Sequence, residues 1–464
     1  MTDWIGDIGR RNLLVAGGLG VVAGALGGRT PAIAARAGLS EHRTAAQLES
    51  DQQHARRQVA ALSSARGRGD SIIAGMRARQ ERAPHGAAVL FDHHRAADVL
   101  LARGELIVRT PSSSTARLRA VGYQATARPA VFRSGKPIAE LLADVATLRA
   151  QGIDAGPNLV VPLGHIVKGD DIPVVTTGLG AAGSTGTPAV TARVALIDTG
   201  ITAQTRTDGW LAGVARGPAA VDPLDVVTPL DRLDWGSGHG TFTAGIVQRV
   251  APGCEIVAYR FSGADGLGTD QDVADALVQA AREGSEAGRP TIINASLGTA
   301  AIGGVPPLAM QAAVELITST YPDVLIIASA GNLGSTEPVY PAAFDRVVAV
   351  GALTDDLQPA PFSSHGDWVS CSSVGVGVVS TFVSGVEPPE SRPDQADQEF
   401  GANPWALWSG TSFSAPQISG AVARLCGEAP GLRPRAALDM LLAGKPSLPG
   451  YGSTVRLLPG TPIG

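Results

Sequence analysis

Cysteine is scarce. The three in this chain, Cys254, Cys371 and Cys426, are too few for a disulfide scaffold and too widely spaced for a zinc site. Charge is scarce as well. Only 17% of the 464 residues are charged, and the net charge of −5 argues against a molecule that binds nucleic acid as a whole. A long uninterrupted apolar run is also missing. The best one, NLLVAGGLGVVAGALGG (12–28), is broken by so many glycines that it makes a poor membrane anchor. What is plentiful is glycine, with 58 residues, in a chain that is 44% hydrophobic. That composition suits a soluble protein with a large core and many tight turns and excludes a disordered one. The length fits two or three folded units.

The charge is unevenly placed. Residues 1–170 hold 22 basic and 14 acidic residues, and the rest of the chain holds 15 and 28. A basic front and an acidic back can attract each other, or the front can be a separately handled segment. Residues 1–37 read as an address. Arg10-Arg11 precedes the apolar run, and PAIAARA (31–37) offers small-residue cleavage sites. GRRNLLV resembles a twin-arginine export signal, which implies a secreted or cell-envelope protein. An uncleaved weak anchor, which alone would imply membrane contact, or a cytoplasmic N-terminal helix are the rivals.

Residues 38–86 form a polar, arginine-rich linker, and 41–83 read as a solvated helical stretch. No aromatic residue interleaves these arginines, so a nucleic-acid arm is not expected. From 87 to 170 the pattern changes. ELIVRT (105–110) predicts a strand, STARLRAVG (114–122) a helix, YQATARPAVF (123–132) a broken strand, PIAELLADVATLRAQG (137–152) an amphipathic helix and NLVVPLG (158–164) a closing strand. This is a small α+β unit. Residues 171–189, with GLGAAGSTGTP (178–188), read as a flexible glycine-rich linker.

From 190 to 464 apolar strands alternate with helices. VALID (194–198), EIVAYRF (255–261), TIINAS (291–296), VLIIASAG (324–331) and RVVAVGA (346–352) predict buried strands. TFTAGIVQRV (241–250), DVADALVQAAREG (272–284) and PLAMQAAVELITS (307–319) predict helices. The implied class is α/β, a mostly parallel sheet covered by helices on both faces. Ligands of such sheets bind at the carboxyl ends of the strands. GLGAAG (178–183) fits a dinucleotide fingerprint, but STGTP after it starts no helix, so the phosphate-binding helix terminus is missing and no nucleotide is expected.

Four polar residues stand at strand ends or helix starts. Asp198 ends VALI, His239 sits in SGHGTFTAG, Asn332 follows LIIASAG, and Ser412 follows Gly410-Thr411 ahead of a helix that starts at about Phe413. Singly, each has an ordinary reading: a turn aspartate, a core histidine, a turn asparagine, a helix cap. Together they would converge on one cleft. Their chemistry is complementary. A serine hydroxyl needs a base, histidine can take and return its proton, and a buried aspartate fixes the imidazole tautomer. An asparagine amide and the serine N–H can hold an oxyanion.

IDTGI (197–201), GHGTFTAG (238–245), ASAGN (328–332) and SGTSFSAP (409–416) resemble the four signatures of the subtilisin-like serine proteases. Their order along the chain, Asp, His, Asn, Ser, is that of subtilisin. The resemblance covers about residues 190–445. It implies Asp198, His239 and Ser412 as a triad and Asn332 as oxyanion donor, a mechanism that requires no cofactor; no metal site is read from the sequence. It implies that Ser296, Leu297 and Gly298, and Gly266, Leu267 and Gly268, are edges that pair with an extended polypeptide substrate. It further implies that the 87–167 unit is a propeptide-like domain, a partner in cis that helps folding and blocks the cleft until a cut within 165–190.

Two features depart from the family. Phe242 stands where the family often has a second histidine. GVEPPESRPDQADQEFGANP (385–404) is either a longer surface loop near the cleft or an idle insertion. DGLGTDQD (265–272) lacks the spacing of a calcium loop. Two other functions compete with a serine endopeptidase made as a precursor. One is an acid protease with glutamate as base, against which GHG at 238–240 argues. The other is a catalytically silent peptide-binding protein of the same fold.

Overall fold

A computed structural model of the chain describes residues 43–64, 77, 90–94, 99–109, 111–163, 172–181, 192–226, 231–387 and 397–463. The signal-like segment 1–37, most of 65–89 and the second half of the 178–188 stretch lie outside the described residues. Among the described residues, no helix is long and apolar enough to cross a membrane.

Helix α1 (Ala45–Ser63) starts at a reciprocal cap. Thr44 Oγ1 accepts the Gln47 N–H, and Gln47 Oε1 accepts the Thr44 N–H. The reading of 41–83 as a solvated stretch needs correcting here. Asp51, Ala55, Gln58, Ala61 and Leu62 are buried, at spacings that put 51, 55, 58 and 62 on one stripe. Two of those four are polar, so the stripe carries little hydrophobic signal in the sequence.

The first unit contains β1 (Phe91–His94), β2 (Val99–Val108), α2 (Pro111–Ala120), β3 (Gln124–Ala125), β4 (Val131–Arg133), α3 (Ile138–Ala150) and β5 (Ala155–Pro162). Its strands pair antiparallel in the order β3-β4-β2-β5, with β1 also on β2. Alternation along the strands divides the two faces. Leu106, Val108 and Phe132 pack with Leu118 of α2 and Leu148 of α3. Ile107, Val131 and Val161 point the other way, into a cluster with the helices of the second unit. Strand β2 starts six residues before the ELIVRT expected from the sequence. Its register shifts between Leu101 and Leu106, where Gly104 has φ +70° and a Cβ would lie 2.1 Å from the Ser134 carbonyl oxygen. The glycine and Arg103 mask the strand in the sequence, while this bulge carries the pairing through.

Strand β6 (Val174–Val175) follows. The second unit then contains β7 (Arg193–Asp198), α4 (His239–Val250), β8 (Glu255–Arg260), β9 (Leu267–Thr269), α5 (Asp270–Glu286), β10 (Thr291–Ala295), β11 (Thr299–Ala300), α6 (Leu308–Thr320), β12 (Val324–Ser329), β13 (Val339–Tyr340) and β14 (Val348–Leu353). It continues through β15 (Cys371–Val374), β16 (Val378–Thr381), β17 (Gly385–Val386), β18 (Glu399–Phe400), β19 (Trp405–Trp408), α7 (Ala415–Glu428), α8 (Pro434–Leu442), β20 (Ser447–Leu448) and β21 (Gly452–Val455). Eight strands form the main sheet in the order β20-β21-β15-β14-β12-β10-β7-β8. Every pair from β21 to β8 is parallel, as continuous apolar strands require. One face packs α4, α7 and α8 and the other α5 and α6. The α/β class expected from the sequence is therefore the one observed.

Two stretches differ from their expected form. The glycine-rich linker is docked over its described part: β6 pairs with β19, and Trp210 Nε1 donates to the Gly180 carbonyl at 3.0 Å. The 385–404 stretch is a hairpin at its base, with β17 paired to β18. Phe400 is buried against Phe382, and Gln398 bonds the backbone of Pro173 and Val175. Its tip, 388–396, lies outside the described residues.

Asp270 is fully buried and accepts the Ala309 and Met310 N–H groups at the start of α6, at 2.9 and 2.8 Å. Burial pushes its carboxyl up to about 7, against the pull of those donors. The sign follows from proton binding. Between the unfolded value near ~4 and about 7, the folded chain holds a proton that the unfolded chain has lost. Stability from this site is therefore full below that window and falls as pH rises through it. The stability difference between wild type and Asp270→Asn is expected to shrink from pH 4 to 7, measured by thermal melts across that range. A constant difference would contradict this.

Candidate active site

The parallel sheet brings the four polar residues picked from the sequence to one end. Asp198 is the last residue of β7 and is fully buried. Its carboxylate accepts three hydrogen bonds: Thr199 N–H at 2.8 Å, Thr243 Oγ1 at 3.2 Å, and His239 Nδ1 at 2.8 Å to Oδ1 and 3.0 Å to Oδ2. A buried carboxylate requires such donors. Thr243 lies one turn beyond His239 on α4, a spacing that brings its hydroxyl to the same carboxylate.

His239 opens α4, and Gly238 before it turns left-handed at φ +80°. Gly240 after it packs so closely that a Cβ would lie 2.0 Å from the Gly200 carbonyl oxygen. The GHG triplet is thus a packing requirement where the histidine helix crosses the Asp198 turn. Because the carboxylate can only accept, Nδ1 carries a proton, and in the neutral ring Nε2 therefore holds the lone pair. His239 Nε2 is buried and has no hydrogen-bond partner among the described residues. The ring lies edge-on to Trp408 and tilted to Phe413, both 5.5 Å away between centroids. A buried imidazole nitrogen without a partner is costly, and it marks the point where a reacting group would sit.

Ser412 is the middle residue of a 3₁₀ turn, Thr411–Phe413, and α7 begins after Ser414. The helix therefore starts two residues later than the sequence suggests, because the turn before it is tighter than an α-helix. Ser412 Oγ donates to the Ser296 carbonyl at 3.4 Å, while the Ser296 hydroxyl donates to the Ser412 carbonyl at 2.8 Å. The hydroxyl is thus not bonded to His239 in this structure. Such bonds often form only when substrate is present.

Asn332 follows β12. Its Oδ1 accepts the Thr411 N–H at 2.9 Å and the Thr411 hydroxyl at 2.8 Å. A backbone N–H can only donate, so the amide orientation is fixed and Nδ2 is the end left for a ligand. Behind this group, Asp222 accepts from Thr199 Oγ1 and from the Gly238 and Leu224 N–H groups. Burial pushes its carboxyl up to about 7. Sequence reading missed Thr243, Asp222, Trp408 and Phe413. The aspartate and threonine lie far from His239 in sequence or within its helix, with no local pattern to mark them.

The two segments that the resemblance makes substrate edges both bond residues of the first unit. Strand β9 pairs antiparallel with β5: Thr269 faces Val160, Gly268 faces Val161 and Leu267 faces Pro162. Leu163 N–H donates to the Gly266 carbonyl at 3.0 Å, and Gly298 N–H donates to the Pro162 carbonyl at 3.3 Å. Residues 160–163 therefore lie as a strand across Gly266–Gly268, with Gly298 bonded to their far side. Leu297 is buried beneath.

A model of the subtilase family, peptidase S8, matches residues 191–448, more than half of the chain. This chain belongs to the subtilase family. Among curated proteins, this subtilase is 32% identical over 217 residues to a thermophilic serine proteinase of Bacillus sp. (strain AK1), covering 45% of this chain and 44% of that one. It is 30% identical over 240 residues to subtilisin BL of Lederbergia lenta, covering 50% of this chain and 74% of that one. The subtilase thus spans less than half the length of the first of these relatives. Among solved structures, fervidolysin from Fervidobacterium pennivorans, a keratinolytic enzyme related to subtilisin, superimposes with a TM-score of 0.56 at 20% identity. That match covers 80% of this chain and 62% of fervidolysin, and it is a likeness of fold.

Proposed function

We propose that this subtilase is a serine endopeptidase made as a precursor. The observation that carries the reading is the buried, unpartnered Nε2 of His239, whose Nδ1 is bonded to Asp198. In the proposed reaction Ser412 Oγ attacks the scissile carbonyl as His239 Nε2 takes its proton. The oxyanion is held by Asn332 Nδ2 and the Ser412 N–H, which lies at the start of a helical turn where donors have no intrahelical partner. Collapse expels the amine, which receives the proton from His239. Water then repeats the sequence on the acyl-enzyme and releases the acid. No cofactor enters these steps.

The position of residues 160–163 supports the precursor reading. A polypeptide strand already occupies the edges where a substrate would pair, and it belongs to the basic front of the chain. Ion pairs join the two units, Arg128 with Asp272 at 2.5 Å and Arg109 with Glu315. Half-exposed pairs of this kind add little stability, so the apolar contact of Ile107, Val131 and Val161 with α5 and α6 does most of the docking. Maturation would cut past Leu163, the last residue held on the edges, within 165–190.

The test is labelling with a serine-directed fluorophosphonate after processing, with the mature N-terminus read by mass spectrometry. One adduct on Ser412 and an N-terminus past residue 163 are expected. No adduct, where a reference serine protease labels, would instead favour the peptide-binding alternative. Asn332→Asp separates the oxyanion role from the structural one. Its carboxylate keeps the bonds to Thr411 but cannot donate. A fall in kcat of about 10²–10³, the magnitude measured for loss of the corresponding donor in subtilisin, is expected with little change in KM or melting temperature.

A further inference from the structure

The sheet of the first unit is not the whole of the N-terminal contact. Helix α1 lies on a different part of the second unit, against β19, the strand that leads into the nucleophile turn. Ala55 and Leu62 pack with Trp405, Leu407, Val376, Val379 and Phe362. The polar face of the contact is bonded throughout. Asp51 accepts from Thr176 Oγ1 at 2.9 and 3.0 Å and from Arg43 at 2.9 Å, and Arg56 donates to the Ile463 carbonyl at 2.6 Å. Of these partners, Thr176 lies in residues 172–177 and Ile463 at the far end of the chain. Both are on the catalytic side when the cut falls in the 165–171 part of the 165–190 segment.

One residue of this helix reaches the SGTS turn. Gln58 is fully buried, and its amide makes three bonds. Nε2 donates to the Ile172 carbonyl at 2.7 Å and the Leu407 carbonyl at 3.1 Å, and Oε1 accepts the Ser409 hydroxyl at 2.7 Å. Ser409 Oγ in turn accepts the Gly377 N–H at 2.9 Å. The next two residues are held by Gly375, which accepts the Gly410 N–H at 2.8 Å, and by Asn332, which accepts the Thr411 N–H. Residues 407–411 are thus held at four points, three on the backbone and one at the Ser409 hydroxyl, and two of the four are bonds to a helix that precedes the first unit in sequence.

We propose that Gln58 is a positioning residue for the Ser412 turn, and that α1 is a working part of the active enzyme, kept on the catalytic domain when the β5 strand leaves the substrate edges. The proposal rests on the reading of Ser412 as nucleophile. A buried glutamine with all three bonds made holds one geometry, because each group it bonds would otherwise be left buried and unpaired. Small displacements of a nucleophile cost rate out of proportion to their size.

The experiment compares wild type, Gln58→Ala, Ser409→Ala and the double variant in the full chain after processing, with active sites counted by fluorophosphonate labelling. Expected are a fall in kcat per labelled site of about tenfold in each single variant, an unchanged KM, and a double variant no worse than the singles, since both remove one bond network. Leu62→Ala, which removes packing and no bond to the turn, should lower the melting temperature and leave kcat per labelled site unchanged. If Gln58→Ala does not fold, Ser409→Ala and its kcat decide the matter. A wild type that labels, with kcat unchanged in both single variants or with additive losses, overturns the positioning role while leaving the protease reading intact. A wild type that does not label overturns the protease reading itself. Mass spectrometry of the active, labelled enzyme adds a second check: residues 43–64 are expected to copurify with it, and their absence overturns the retention of α1.

Discussion

Replacing Ser412 by alanine is expected to abolish both peptidase activity and fluorophosphonate labelling, with the precursor left uncut. The predicted loss in kcat is about 10⁶-fold, the figure measured for removing the nucleophile of subtilisin. The structure gives the reason for so complete a loss. The serine sits on a tight turn where Oγ contacts the Ser296 carbonyl. Ser414 is turned away to the Ser373 carbonyl at 3.0 Å, and Ser419 to Asn294 Oδ1 at 3.0 Å. Ser409 is committed to Gln58 and Gly377. Neighbouring serines therefore cannot stand in. Because the buried volume lost is one oxygen, the melting temperature should stay within a few degrees of wild type. Intact-mass measurement of wild type and variant side by side checks the processing claim, and identical cleavage in both would refute self-maturation.

Replacing Asp198 by asparagine is expected to lower kcat by about 10⁴-fold. The carboxylate accepts from Thr199 N–H, Thr243 Oγ1 and His239 Nδ1 together. An asparagine side chain offers one oxygen and one NH₂. Its oxygen can keep Thr199, and the NH₂ then faces the imidazole. That donor turns the ring to the other tautomer, with Nδ1 as acceptor and Nε2 protonated, so Nε2, the proposed base, can no longer take a proton. A shape-conserving change thus removes the base without moving it. The measurement is kcat together with the ring proton pattern of His239 by NMR. An asparagine variant that keeps the Nδ1 proton and wild-type kcat would contradict the argument. Asp198→Ala should be more damaging to stability, since it leaves the Thr199 N–H and His239 Nδ1 buried without an acceptor, while Thr243 can still donate to the Gly240 carbonyl.

The strand-and-helix alternation of 190–464 was legible because the central strands of the parallel sheet are buried on both faces and read as continuous apolar runs. Asp198 and Asn332 stood out because each interrupts such a run at its carboxyl end, and His239 and Ser412 because each sits among glycines at a helix start. The first unit was legible as α+β, but β2 was truncated in the reading, since Arg103 and Gly104 interrupt its pattern and a bulge is a property of pairing. Helix α1 was readable as a helix and unreadable as a contact. Its buried stripe contains Asp51 and Gln58, and polar residues are buried only when partners far along the chain, here Thr176, Leu407 and Ser409, come to meet them.

SGTSFSAP by itself names a serine at the mouth of a helix and a family resemblance. Composition, periodicity and motif order determined the fold class and the candidate site residues, because those depend on local sequence and on strand ends that a parallel sheet must align. Tertiary structure alone decided three things. It set the tautomer of His239 through Asp198. It fixed the direction of the Asn332 amide through Thr411. It brought residues 160–163 onto the Gly266–Gly268 and Gly298 edges, with Gln58 behind the nucleophile turn. Each is a hydrogen bond between groups distant in sequence, and its existence depends on where the whole chain, once packed, leaves a donor facing an acceptor.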